Sequence, residues 1–225
     1  GFLLIMSATA LAFLLAGLVC RRPHWATQST ATTGELLEWL TQLAGTRRFR
    51  LLFVGIALSF AWYQLLAAYA VDLFIARGLT ATGASTAFGL IGGVSIISRI
   101  GSGYLADVMG SRRAFLASLV CAAVGIVVLL VPTFVTVILA ICLIGLGLGG
   151  SATLYIPLLM GVYSPEKDTA IVGTFNVAIG VAALAMPPLG TASVAFTGSF
   201  TLAILLTLAA TGSGFWAITV GTANS

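Results

Sequence analysis

Read along the chain, apolar residues come in long unbroken runs separated by short polar breaks. The runs cover about 2–19, 50–72, 84–106, 114–131, 134–162, 170–192 and 199–220. Each approaches or exceeds the roughly 20 apolar residues that cross about 30 Å of hydrocarbon. None alternates with period two, as the strand of a closed barrel does. In lipid the backbone must satisfy its own hydrogen bonds, so such runs are predicted to be spanning helices, seven in all. Five of the breaks are short: Asp72 to Gly83, Asp107 to Arg113, Val131-Pro132-Thr133, Ser164 to Asp168 and Ala195 to Ser199. The exception is Arg21 to Phe49. Within it, Thr32-x-x-Glu35 has the form of a capping box. Leu36, Leu37, Leu40 and Leu43 follow at helical spacing, with Trp39 beside them. The pattern predicts an amphipathic helix over 33–44 lying on the membrane surface, its tryptophan at the interface; a partly disordered linker is the open alternative.

Composition agrees with this reading. Hydrophobic residues make up 60% of the chain and charged residues 7%. A soluble domain carries about 25% charged residues, so this chain has too few to cover a water-facing surface. The net charge of +4 does not point to nucleic acid, because the basic residues sit in small clusters at the ends of apolar runs. Eight of the ten fall on one face of the predicted topology: Arg21, Arg22, Arg47, Arg48, Arg50, Arg112, Arg113 and Lys167. Positive-inside sorting makes that face, with the long loop and the carboxy terminus, cytoplasmic in a plasma or inner membrane. Arg77 stands alone on the other face and Arg99 lies within a run. The chain opens on Gly1 in apolar sequence, with no Met and no basic leader, which suggests a piece of a longer protein.

The residue types that would equip an enzyme are missing from the runs. The lone histidine, His24, is in the long loop, and the lone lysine, Lys167, is not in a Gly-Lys-Ser/Thr motif. Neither a Ser–His pair in the membrane nor an HExxH zinc site is available. Cys20, Cys121 and Cys142 lie in apolar segments without ligand spacing, so they read as small buried hydrophobes. No metal and no cofactor is expected. Gly145-Leu-Gly-Leu-Gly-Gly150 fits GxGxxG in form, but it falls inside a spanning run. Close helix packing through small residues explains it, and Gly89-x-x-x-Gly93, better than a dinucleotide site.

The residue with most to say is Arg99, inside the run Ala84 to Leu105. A cation at helix centre costs about 2.5–3.5 kcal/mol on insertion scales, so it persists with a partner, a wet cavity or a task. A guanidinium offers a planar fork that matches a carboxylate; a snorkelling or helix-pairing arginine is the plain alternative. Eight residues on comes the turn Gly103-x-x-x-Asp107-x-x-Gly110-x-Arg112-Arg113. Its glycines permit close approach and a tight backbone, and Asp107 can accept hydrogen bonds or pair with an arginine.

This turn resembles the loop motif that recurs in each half of major facilitator superfamily transporters, where it acts as a latch between the halves. The resemblance implies an all-α membrane protein. Residues 1–20 would be the last helix of the amino-terminal half, 21–49 the central cytoplasmic loop, and 50–225 the six-helix carboxy-terminal bundle. Substrate in such folds binds near midplane between the halves, so the helices of the other half would be required partners. Two stretches are similar to the monocarboxylate transporter and oxalate–formate antiporter branch. One is Ser98-Arg-Ile-Gly-Ser-Gly-Tyr-Leu-Ala-Asp107. The other is Pro187-Pro-Leu-Gly190 followed by Thr197-Gly-Ser-Phe200. Ser95, Met186 and Ala195 depart from the aspartate, glycine and aspartate of that branch. The resemblance implies secondary transport of a small organic anion by alternating access, with Arg99 on the carboxylate and a coupling proton as a further candidate partner. Carriers of neutral solutes or drugs, and non-transport membrane proteins, are the alternatives. Tyr69, Gln64, Tyr155 and Asn176 are further substrate-binding candidates; Asp72 is read as an outer-end anchor or gate.

Overall fold

The computed structural model describes residues 11, 12, 14, 15, 33–131, 133–163 and 168–223. The body of the run predicted over 2–19, together with Cys20, Arg21, Arg22, His24, Thr32, Pro132, Lys167 and the carboxy-terminal Ser225, lies outside these, although Leu11, Ala12, Leu14 and Leu15 are helical. Seven longer helices follow: α1 Thr33–Gly45, α2 Arg47–Ala76, α3 Ala81–Met109, α4 Ser111–Val128, α5 Phe134–Met160, α6 Asp168–Thr197 and α7 Phe200–Gly221. No strand occurs among the described residues. Helices α2 to α7 are long and apolar enough to span a bilayer, and the protein is an integral multi-pass membrane protein.

The helices exceed the apolar runs at several ends because short polar residues cap them. Thr46 accepts from the Phe49 amide, Thr80 from the Gly83 amide and Ser199 from the Thr201 amide. These hydroxyls satisfy amides that a helix start leaves unpaired. The cap at Thr46 draws Arg47, Arg48 and Arg50 into the first turn of α2, where the apolar pattern placed them at the edge of a loop. The break read from Asp107 to Arg113 contracts to one residue: Gly110, at φ +87°, ends α3 and begins α4. Gly198, at φ +63°, does the same between α6 and the cap of α7. Pro157, Pro187 and Pro188 all sit inside continuous helices.

Consecutive helices run in opposite directions. One end of the bundle therefore gathers the starts of α2, α4 and α6 and the ends of α3, α5 and α7, and carries Arg47, Arg48, Arg50, Arg112 and Arg113. We call it the basic end. Packing follows a crossed pattern. Helix α2, first of one triplet, packs mainly on α7 and α6; α5, first of the next triplet, packs mainly on α4 and α3. The two triplets thus exchange their leading helices, as inverted three-helix repeats do.

Glycines set the closeness of these contacts. A Cβ on Gly145 would fall 2.6 Å from Val94 Cβ, and one on Gly147 would fall 2.6 Å from Ala122 Cβ and 2.8 Å from its backbone nitrogen. At Gly149 it would strike the Ser95 carbonyl oxygen, and at Gly150 the Ser118 hydroxyl. On the other side of the bundle Gly55 meets Ile218, Gly214 meets Ser59, and Gly190 meets the Leu65 carbonyl. Small residues at interfaces allow backbones to approach where lipid gives no hydrophobic drive. Gly89 and Gly93 differ from the expectation: among the described residues a Cβ on either meets nothing within 4 Å. Near the basic end, Phe49, Phe53 and Tyr163 surround the buried ring of Phe175. Burial pushes the Tyr163 phenol up to about 12, against the pull of nearby Arg48.

Gly147→Ala is expected to lower thermal stability of the purified protein by about 1–3 kcal/mol, since the α4 backbone must shift to admit a methyl group. Gly212→Ala, where nothing lies within 4 Å, is expected to leave the melting temperature unchanged or slightly raised. Equal effects of the two would contradict the close-packing account.

Candidate functional site

Helix α3 shows where Arg99 points. Its buried positions, Ala84, Ala87, Ile91, Ser95, Ser98 and Ser102, recur at three- and four-residue spacing and form the face against α5. The contact is direct: Ser98 Oγ donates to the Leu146 carbonyl at 2.6 Å. At 100° per residue the exposed remainder is one arc with two edges, and Ile96 and Ile100 are exposed between them. One carries Leu90, Ile97, Tyr104 and Val108, all more than half exposed, and suits lipid. The other carries Phe88, Gly92, Arg99 and Gly103 within about 60° of one another. Gly92 and Gly103 face open space, and Phe88 stacks on Tyr63 of α2 with ring centroids 6.4 Å apart. Arg99 is thus an exposed cation on a small-residue flank that turns toward α2. Its carbonyl accepts from Ser102 Oγ at 3.0 Å, while its guanidinium has no hydrogen bond and no ion pair among the described residues.

A second polar group lies across the bundle. Tyr155 on α5 donates its hydroxyl to Asn176 Oδ1 on α6 at 3.2 Å. Phe60 on α2 packs its ring against Tyr155 edge to face, centroids 5.4 Å apart. Three helices therefore meet at one aromatic and amide cluster, half-buried at Tyr155 and open at Asn176. Tyr155 lies nine residues beyond Leu146, or about 13 Å along α5 from the level of Ser98. Gln64 is half-buried one turn from Phe60 and has no hydrogen bond among the described residues. Along α2, Phe53, Ala57, Phe60, Gln64, Ala67 and Val71 form a half-buried stripe at three- and four-residue spacing.

Tyr69 has a different place. It is 2% exposed, and its hydroxyl lies 2.8 Å from Thr207 Oγ1 of α7. Thr207 in turn donates to the Ala203 carbonyl, which leaves its hydroxyl to accept from Tyr69. The pair pins α2 to α7 and does not meet Arg99, Tyr155 or Asn176. Asp72 is exposed toward the end away from the arginines; nearby Arg77 donates to the Leu129 carbonyl at 2.7 Å.

The turn after α3 divides its labour. Gly110 holds the positive φ, and its amide closes α3 on the Ala106 carbonyl at 2.8 Å. Arg112 reaches the end of α7, donating from Nε to Thr222 Oγ1 at 2.6 Å and from Nη2 to the Thr219 carbonyl at 3.1 Å. Asp107 and Arg113 are exposed, and Gly103 leaves open space on α3. The Arg112 anchor escaped sequence reasoning because its partners are a hydroxyl and a carbonyl about 110 residues away. No group of three potential metal ligands occurs among the described residues.

The family model described as Major Facilitator Superfamily matches residues 1–187 and, in a second match, 51–223. The chain belongs to the Major Facilitator Superfamily. Among solved structures it is similar to a variant of the E. coli fucose:proton symporter FucP, with a TM-score of 0.75 and 15% sequence identity. That match covers 97% of this chain and 54% of FucP, so the chain spans about half the length of this structural relative. At such identity the likeness concerns the fold. No curated protein matches the sequence. As a major facilitator bundle, the six helices α2 to α7 give a frame to the open groups above: Arg99, Gln64 and the Tyr155–Asn176 pair are polar groups left unburied within the bundle.

Tyr69→Phe is expected to cost about 0.6 kcal/mol of stability, the mean for one interhelical hydrogen bond in a membrane, read as a lower melting temperature of the purified protein. An unchanged melting temperature would show that the Tyr69–Thr207 contact does not hold α2 to α7.

Proposed function

We propose that this chain forms part of a secondary transporter for small organic anions, of which monocarboxylates are the leading class. It works by alternating access between this bundle and a second one, without enzymatic chemistry. Family membership supports the carrier, and the observation that carries the substrate class is Arg99. Its guanidinium is the sole charge in the body of α3, it has no partner among the described residues, and it shares the small-residue flank of the helix. A fixed cation at that depth is costly unless an anion or water completes it, and a planar fork favours carboxylate. Tyr155, Asn176 and Gln64 would supply neutral donors and acceptors around the same substrate. Asp107, Gly110, Arg112 and Arg113 would form the latch, with Gly103 giving close approach. The clustering of arginines supports a cytoplasmic basic end.

The second reading is a carrier of neutral hydroxylated solutes. It is favoured by the Tyr155–Asn176 hydrogen bond framed by Phe60, a neutral amide and phenol beside an aromatic face. A proton is the candidate coupling ion in either case.

Arg99→Ala in the full-length protein is expected to abolish uptake of a labelled organic anion while membrane insertion is preserved. Arg99→Lys should retain part of it, because charge without the fork suffices for weaker binding. Lactate, formate and oxalate should compete with the labelled substrate, and neutral sugars should not. Unchanged kinetics in Arg99→Ala would remove the anion site; competition by neutral solutes alone would select the second reading.

A further inference from the structure

A groove of about 720 Å³ runs between α2 and α7 on the outside of the bundle, apart from the polar groups described above. Arg47 and Arg50 stand at its mouth, and Leu51, Val54, Leu58 and Trp216 line its length. Both arginines are exposed, and their side chains make no hydrogen bond or ion pair among the described residues. Trp216 is 59% exposed and Val54 51%. From Arg47 to Leu58 is eleven residues, about 16 Å along the helix, which matches one leaflet of a bilayer core about 30 Å thick. A smaller cavity of about 330 Å³ adjoins it, sharing Arg47 and Leu51 and bordered also by Arg48. Arg48 Nε donates to the Gly221 carbonyl at 3.3 Å, while its Nη2 is buried without a partner.

We propose that this groove holds an anionic phospholipid, its phosphate between Arg47 and Arg50 and an acyl chain along Leu51, Val54, Leu58 and Trp216. Charge and length both select the occupant. Two guanidinium groups with no partner among the described residues, at the headgroup level, favour a negative occupant, and basic residues at a membrane surface attract anionic lipid. An apolar channel one leaflet deep, below that charge, suits an alkyl chain and not a small polar anion. The occupant would join α2 to α7 at the basic end, where Arg48 and Arg112 also hold the end of α7.

The test uses the full-length protein in nanodiscs with brominated lipid, reading tryptophan quenching. The Trp216 component is the difference between the parent and Trp216→Phe. Brominated phosphatidylglycerol should quench it more than brominated phosphatidylcholine at equal mole fraction, by about a fivefold preference for each arginine engaged. Arg47→Gln with Arg50→Gln should bring the two lipids level, and the paired lysine substitutions should keep the preference. Gly212→Leu also fills the groove, at a position where an added Cβ meets nothing within 4 Å, so it should fold and reduce quenching by both lipids. Equal quenching of the parent by both lipids would overturn the proposal. So would an unquenched Trp216, the result if other protein covers the groove, or a preference that survives the glutamine pair. Should the glutamine pair fail to fold, the parent comparison and Gly212→Leu decide between these outcomes.

Discussion

The bundle depends on backbones coming close enough for small groups to touch. Helix α5 carries the constraint. Gly145 and Gly149 fit against α3, and Gly147 and Gly150 against α4, with no room for one more carbon. In a membrane, burying a leucine between helices gains little over leaving it in lipid, so tight packing and short polar contacts must hold the helices together. The Ser98 hydroxyl on the Leu146 carbonyl illustrates the second element: it becomes possible only because the glycines on either side bring α3 and α5 together. This closeness orients α3 and thereby decides that Arg99 falls on the flank toward α2 and not on the flank of Leu90, Ile97 and Tyr104.

A chain with so little charge spends its arginines selectively. Arg48, Arg77 and Arg112 each end on a backbone carbonyl, the strongest acceptor a helix end leaves free. Those three belong to the bundle. Arg47, Arg50, Arg99 and Arg113 have no such employment among the described residues, and they divide by position. Two sit over an apolar groove and one beside the turn after α3. Only Arg99 is in mid-helix, where water at a membrane surface is out of easy reach. The difference in depth, more than the residue type, separates an arginine that can reach headgroups from one held within the span of its helix.

The six spans α2 to α7 were legible in the sequence because hydropathy alone determines them. The order of helices, the turns at Gly110 and Gly198 and the family resemblance through Gly103, Asp107 and Arg112 could all be read in one dimension. The internal repeat was not, and glycine placement explains why. In one half of the crossed pattern most of the small residues lie on the leading helix α5, as Gly145, Gly147, Gly149 and Gly150, and Gly125 of α4 faces Ile144. In the other they are scattered over α2, α6 and α7, as Gly55, Gly190 and Gly214. The same close contact is made from opposite sides, so the fold repeats while the residue pattern does not. Gly89-x-x-x-Gly93 failed for a related reason: small-residue spacing says that an approach is possible without saying that a helix is there to make it. At the site, a hydroxyl's partner was the illegible part. Nothing in the run around Tyr69 reveals that Thr207 will take its hydrogen bond, or that Asn176 will take that of Tyr155.

The turn after α3 illustrates how one motif can serve two tasks. Gly110 and Arg112 are occupied within this bundle, one in backbone geometry and the other in tying α4 to the end of α7. Asp107 and Arg113 remain open on the surface. The latch proposed for this turn would need both kinds of residue: some to make the turn rigid in every state, and some free to engage and release a partner. If all four charged and glycine positions were satisfied internally, the turn would only close a helix pair. If none were, it would have no fixed geometry to present. The Thr197-Gly-Ser-Phe200 ending falls on the first side of this division, because its threonine, glycine and serine all serve the turn from α6 into α7. Its likeness to a transporter signature therefore carries information about the fold, and the burden of identifying the solute rests on Arg99.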